Sequence, residues 1–138
     1  MIIDGKDMIG GRLATKVAKM ALRGEEVKIV NAELVAISGP KECVMKRFLQ
    51  SRKRGDPHHG PYFSRIAKAI LKRMIRGMLP YKQAKGREAL KRVMCYHGVP
   101  EAFQGQELVT FKDIHVKKLP IGKYLTLKQI SEELGVKR

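Results

Sequence analysis

Gly5-Lys6-Asp7-Met8-Ile9-Gly10-Gly11-Arg12 invites a phosphate-loop reading, because glycines between a strand and a helix let backbone N–H groups close on an anion. A nucleotide loop needs Lys after its second glycine and then Ser or Thr for magnesium. Gly11 and Arg12 stand in those places, and the G-x-G-x-x-G spacing of a dinucleotide site is missing too. The glycines read instead as a tight turn with close helix packing, leaving Arg12 free to meet a phosphate. Among His58, His59, His97 and His115 no pair has helical metal spacing, and there is no C-x-x-C. Cys95 with His97 would need a distant third ligand to hold zinc. Ser38, Ser51, Ser64 and Ser131 lack the elbow of a nucleophilic serine. No catalytic group, metal, cofactor or small-molecule substrate is expected.

What remains is cationic chemistry. The chain of 138 residues carries 29 Lys/Arg against 13 Asp/Glu, a net charge of +16. Residues 41–92 hold sixteen of the cations and only Glu42, Asp56 and Glu88, a net +13; the flanks contribute +1 and +2. A surface selected only for solubility intersperses both signs. A surface built for heat stability enriches Glu together with Lys and Arg, so the single Asn does not make that the whole explanation. One sign gathered in one stretch fits counterion release from a phosphate backbone.

The candidate contacts fall into groups. Arg47, Arg52, Lys53 and Arg54 end one helix and enter a Gly/Pro loop with His58 and His59. Arg65, Lys72, Arg73 and Arg76 fill one arc of the next helix, and Lys82, Lys85 and Arg87 follow Gly77 and Pro80. Arg presents a planar fork to two phosphate oxygens, whereas Lys is a mobile point charge. Tyr62, Phe63 and Tyr81 lie among them and could stack on unpaired bases. Tyr62 and Phe63 fit packing within the protein equally well.

The elements that must position these groups follow from periodicity. Ile2 to Asp4 and Val27 to Val30 read as strands around a helix from about Arg12 to Arg23, buried through Leu13, Ala14, Val17, Ala18 and Ala21. That order suggests a parallel crossover. Leu34 to Ile37 reads as a strand, and Gly39-Pro40 opens a helix with Val44, Met45, Phe48 and Leu49 inward. Ser64 is the expected N-cap of a basic helix whose apolar side runs Ile66, Ala67, Ile70, Leu71, Met74, Ile75 and Met78. A short helix follows Lys85, then a strand from Val93 to His97. Tyr124 and Leu125 add a strand, and Thr126 to Gln129 form a capping box before a helix closed by Gly135. The segment 51–63, cationic and rich in Gly and Pro, is expected to be largely disordered in the free protein.

The whole, 1–138, reads as one domain with a basic middle (41–92) and a weakly patterned stretch (101–123). Apolar runs are too short to cross a bilayer, and no signal peptide is visible. Cys43 and Cys95 are no disulfide framework. A reduced, cytoplasmic protein is expected.

Several motifs in order resemble one family. Arg76-Gly77-Met78-Leu79-Pro80-Tyr81-Lys82, then Lys85-Gly86-Arg87, Ala89-Leu90 and Tyr96-x-Gly98-Val99-Pro100 are similar to the signature of large-subunit ribosomal protein thirteen. Ile3-Asp4, Gly11-Arg12-Leu13-Ala14, Val30-Asn31-Ala32-Glu33 and Gly60-Pro61-Tyr62 match as well. The resemblance is continuous over residues 1–100 and looser beyond. The Arg-rich middle resembles the archaeal and eukaryotic branch. Without the long helical extension of eukaryotic members, the source reads as archaeal.

The resemblance implies a three-layer α/β/α fold with a small, mainly parallel sheet of about four strands. It implies a structural constituent of the large ribosomal subunit, bound to large-subunit (23S-type) rRNA and to neighbouring ribosomal proteins, and supporting subunit assembly. By motif match Arg76, Lys82, Lys85 and Arg87 carry over as RNA contacts, with Gly77, Pro80 and Gly86 shaping their loop, and Arg12 joins them. Two alternatives stay open: an extraribosomal regulator bound to messenger RNA and, remotely, a nucleotide-binding α/β enzyme.

Overall fold

In the computed structural model, residues 1–120 and 122–136 are described. Position 121 of the weakly patterned stretch and the two C-terminal cations counted above lie outside them. Strand β1 (Ile2–Asp4) leads into helix α1 (Gly10–Leu22), and β2 (Val27–Val30) returns parallel to β1 with Ile3 opposite Ile29. The inward stripe of α1 is the expected one, and Gly24 ends it at φ +100°, a conformation glycine adopts without penalty. A 3-10 turn (Ala32–Leu34) precedes β3 (Ala36–Ser38). Helices α2 (Lys41–Lys53), α3 (Ala67–Gly77) and α4 (Ala84–Lys91) follow, then β4 (Val93–Cys95), three 3-10 turns, β5 (Tyr124–Thr126) and α5 (Leu127–Glu133). The Thr126–Gln129 capping box forms with both of its hydrogen bonds.

The small, mainly parallel sheet is present as expected, with the strands distributed over two sheets. A parallel sheet runs in the order β1-β2-β4, and β3 pairs antiparallel with β5. A single bridge, Ile3 to Val109, occupies the edge beyond β1 where a fourth strand would lie. The architecture is mixed α/β. One apolar core joins Ile3, Leu13, Val17 and Ile29 to Ile70, Leu71, Ile75, Leu127, Ile130 and Leu134, so the last helix belongs to the same interior as the first strand.

Four expectations are corrected. The strand expected at Leu34 begins at Ala36, because Asn31 turns into the left-handed region (φ 54°) and starts the 3-10 turn. The strand expected to reach His97 stops at Cys95. The basic helix is capped not by Ser64 but begins at Ala67, and its first expected apolar contact, Ile66, is half exposed, as is Met78. The Ser131 hydroxyl donates to the Arg65 carbonyl at 2.7 Å, which holds this segment extended and leaves Arg65 before the helix.

Within 51–63, where composition predicts disorder, residues 51–53 close α2 and 56–60 form a defined turn. Asp56 and Gly60 exchange two backbone hydrogen bonds of 3.1 and 2.8 Å, and Asp56 Oδ1 accepts from His58 N–H. These local bonds pair backbone groups within 56–60, while Phe63 packs against Phe48.

Gly86, inside α4, lies so close to the Pro80 carbonyl that a Cβ there would collide with it. Gly11, inside α1, has open space around its Cα. Gly86→Ala is therefore expected to lower unfolding free energy by about 1–3 kcal/mol. Gly11→Ala should raise it by about 0.5–1 kcal/mol. Urea unfolding of both variants checks the pair, and equal effects would contradict the geometry.

Candidate nucleic-acid interface

The cations that the sequence singles out separate into free groups and groups already engaged. Ion pairs among the described residues use Lys16 with Asp113, Lys41 with Glu133, Arg92 with Glu88, and His97 with Glu33. None of the fourteen candidates pairs with a carboxylate among the described residues. Arg12, Arg47, Arg52, Lys53, Arg54, His58, His59, Arg65, Lys82, Lys85 and Arg87 are exposed, while Lys72, Arg73 and Arg76 are half-buried.

Several of them also shape the protein. Arg52 donates to the Leu134 carbonyl at 2.6 Å, placing a cation on the last turn of α5, where the helix carbonyls are otherwise unpaired. Arg73 donates to the Tyr62 carbonyl at 2.9 Å and lies over the Phe63 ring, 4.8 Å from its centroid. Arg76 covers Tyr81 at 5.0 Å. A guanidinium stacked on a ring keeps its in-plane N–H groups available for a phosphate, so these contacts orient the fork without using it up.

The spatial grouping is only partly the one expected. Arg47 and Arg73, from α2 and α3, line one cleft of about 210 Å³ with Phe48, Phe63 and Ser51. Lys53 and Arg54 border a groove along α2 with Met45 and Leu49. Arg12 lies elsewhere, in a hollow of about 520 Å³ with Ser38, Pro40, Pro120 and Lys123. Lys123 was missed, since nothing local in the weakly patterned stretch marks it; the Gly39 N–H to Lys123 carbonyl bond of 2.9 Å brings it there. Lys72 turns from the Arg73 side towards Met94 of β4, so α3 presents its charges on two sides.

The remaining chemistry of the sequence is absorbed by packing. A Cβ on Gly5 would meet Val35 at 2.9 Å and the Val30 carbonyl at 3.0 Å, and one on Gly10 would meet Ile37 and Val35 at 3.1 Å. Ile9 N–H donates to the Ile114 carbonyl, so the later chain lies over the start of α1. Among the described residues no three His, Cys, Asp or Glu side chains converge as metal ligands. Burial pushes the Cys95 thiol up to about 12, away from thiolate reactivity. Glu33, 9% exposed, accepts from Gly98 N–H through both oxygens at 3.1 Å and faces His97 Nδ1 at 2.9 Å. Asn31 Nδ2 donates to Asp4 Oδ1 at 2.9 Å. No helix among the described residues is long and apolar enough to cross a membrane.

A mixed α/β body whose candidate cations have no carboxylate partner among the described residues defines a class of strongly basic protein. The family profile described as ribosomal protein L13 matches residues 1–102, and the chain belongs to that family. It is similar to the large ribosomal subunit protein uL13 of Methanosarcina barkeri, 44% identical over 137 residues that cover 99% of this chain and 98% of the relative. The protein of the same name from Methanococcoides burtonii is 45% identical over 136 residues, and that from Methanocaldococcus jannaschii is 45% identical over 140, each with 99% of this chain and 98% of the relative covered. The profile ends where the continuous motif resemblance ends. These relatives are archaeal, as the branch assignment expects.

Arg87→Ala and Arg76→Ala are each expected to weaken binding to large-subunit RNA and to reduce the slope of log affinity against log salt by about one. Arg52→Ala should in addition lower stability by about 1 kcal/mol through its lost bond to the α5 terminus. Salt titrations combined with urea melts check the separation; an unchanged slope in both of the first two variants would refute their assignment.

Proposed function

We propose that this protein is a non-enzymatic structural constituent of the large ribosomal subunit in the cytoplasm. In this reading it binds large-subunit rRNA and touches neighbouring ribosomal proteins. The observation that carries the reading is the set of fourteen candidate cations without a carboxylate partner among the described residues. Membership of the ribosomal protein L13 family supports it. Such a surface lowers its free energy by displacing counterions from phosphates. Because the core holds cations from α2, α3 and α4 at fixed separations, RNA segments that meet them would be fixed relative to one another. That reduces the configurational entropy left to lose as the subunit assembles.

Selectivity would come from RNA shape, 2′-hydroxyls and unpaired bases, since side chains cannot read the deep groove of A-form RNA. We assign contacts to Arg47, Lys53, Arg54, His58, His59, Arg65, Arg76, Lys82, Lys85 and Arg87, with Arg12 and Lys123 at a separate point. Arg52, Lys72 and Arg73 combine contact with support of the fold.

The test is cosedimentation with large subunits washed in high salt, followed by crosslinking and mapping of the crosslinked residues. Retention, with crosslinks from 47–87 to rRNA, is the expected outcome. Loss of the protein in the wash, together with tight binding to a messenger RNA, would favour the extraribosomal alternative.

A further inference from the structure

Tyr62 is 69% exposed, more than any other large apolar side chain recorded as exposed in this structure. It lies in the cationic turn, and its neighbour Phe63 shows that this exposure is not a general property of the loop. Phe63 turns inward and packs edge-on against Phe48, with ring centroids 5.9 Å apart. Tyr62 turns outward, yet it is held at several points. Its hydroxyl lies 2.8 Å from the His58 carbonyl and 3.2 Å from the Pro57 carbonyl, positioned to donate to either. Its own carbonyl accepts from Arg73. A Cβ on Gly60 would stand 3.2 Å from the ring at Cδ2 and Cε2, so glycine at that position lets the ring lie against the backbone.

We infer that Tyr62 is a preorganised stacking platform for one unpaired RNA base. The inference rests on the RNA-binding reading above and names a contact within it. An aromatic ring left in water gains by covering an apolar face, and every nucleobase offers one. Anchored at hydroxyl and carbonyl, this ring has little rotamer freedom left to lose on binding. Exposed His58 and His59 precede it in the same turn, and exposed Arg54 stands at the start of that turn, so the phosphates of a bound strand would meet donors within this loop. The one carboxylate in the turn, Asp56, has an oxygen occupied by His58 N–H. Electrostatic contacts from this loop would be indifferent to pairing. The ring would favour a base that is not already stacked in a helix.

Two probes with equal numbers of phosphates test this: an unstructured RNA oligonucleotide carrying 2-aminopurine, and a fully paired RNA hairpin. The parent protein should quench 2-aminopurine fluorescence on binding. Tyr62→Leu should bind the unpaired probe about tenfold more weakly and lose the quench. Its affinity for the hairpin and the salt slopes of both probes should stay at parental values. Tyr62→Phe, which keeps the ring, should retain the quench. The inference is overturned if the parent does not quench, if Tyr62→Leu binds and quenches like the parent, or if it weakens both probes alike, as a ring docking on protein or supporting the loop would. If the parent binds neither probe, the RNA-binding reading fails as well, which separates the two conclusions.

Discussion

Burial of one face of α3 is the interaction on which the cationic surface depends. The helix carries Lys68, Lys72, Arg73 and Arg76 and no acidic residue. Lys68 with Lys72, and Lys72 with Arg76, are like charges one turn apart, each pair costing about 0.2–0.5 kcal/mol in an isolated helix. Ile70, Leu71 and Ile75 are essentially closed to solvent. At about 1.5–3 kcal/mol for each buried aliphatic side chain, their transfer from water outweighs that repulsion. The charges can therefore stay unpaired. A sequence that neutralised them with interleaved Glu would gain local helix stability and lose its attraction for phosphate.

The acidic side chains show the same division of labour. Asp4 accepts from Asn31, and Glu33 accepts from Gly98 N–H beside His97. Both tie the edges of the parallel sheet to the turns that follow it. Asp113 binds Lys16 outside the basic middle, and Lys16 also lies over Phe111, which fastens the weakly patterned stretch to α1. Negative charge at these positions holds backbone and loops in place, as Asp56 also does within the basic turn by accepting from His58 N–H. The residues that carry the resemblance to the ribosomal protein L13 family divide in the same way. Asp4, Asn31, Glu33 and Gly86 maintain geometry, while Lys82, Lys85 and Arg87 are exposed and Arg76 lies half-buried over Tyr81.

Much of the fold was legible because helix faces and caps are local. The stripe of α1, its glycine stop, the capping box of α5 and the short strands all depend on residues within a turn of one another. The expectation failed where distant groups intervene. A capping role for Ser64 looked sound until Ser131, 66 residues away in sequence, took the Arg65 carbonyl and kept the preceding backbone extended. Composition predicts disorder over 51–63 because it counts apolar residues but does not see the two backbone bonds that close 56–60.

The sequence alone determined that cations gather between 41 and 92, that they have too few acids nearby to be neutralised, and that apolar periodicity would bury the other side of the same helices. Those are properties of composition and of 3.6-residue repeats. Tertiary structure decided which of those cations are partly committed, as Arg52 is to α5 and Arg73 to the Tyr62 carbonyl. It also decided which of two adjacent aromatic rings faces water, and that Lys123 lines the same hollow as Arg12. Each of those outcomes depends on where a group far along the chain is placed, and side-chain direction there follows from packing rather than from residue type.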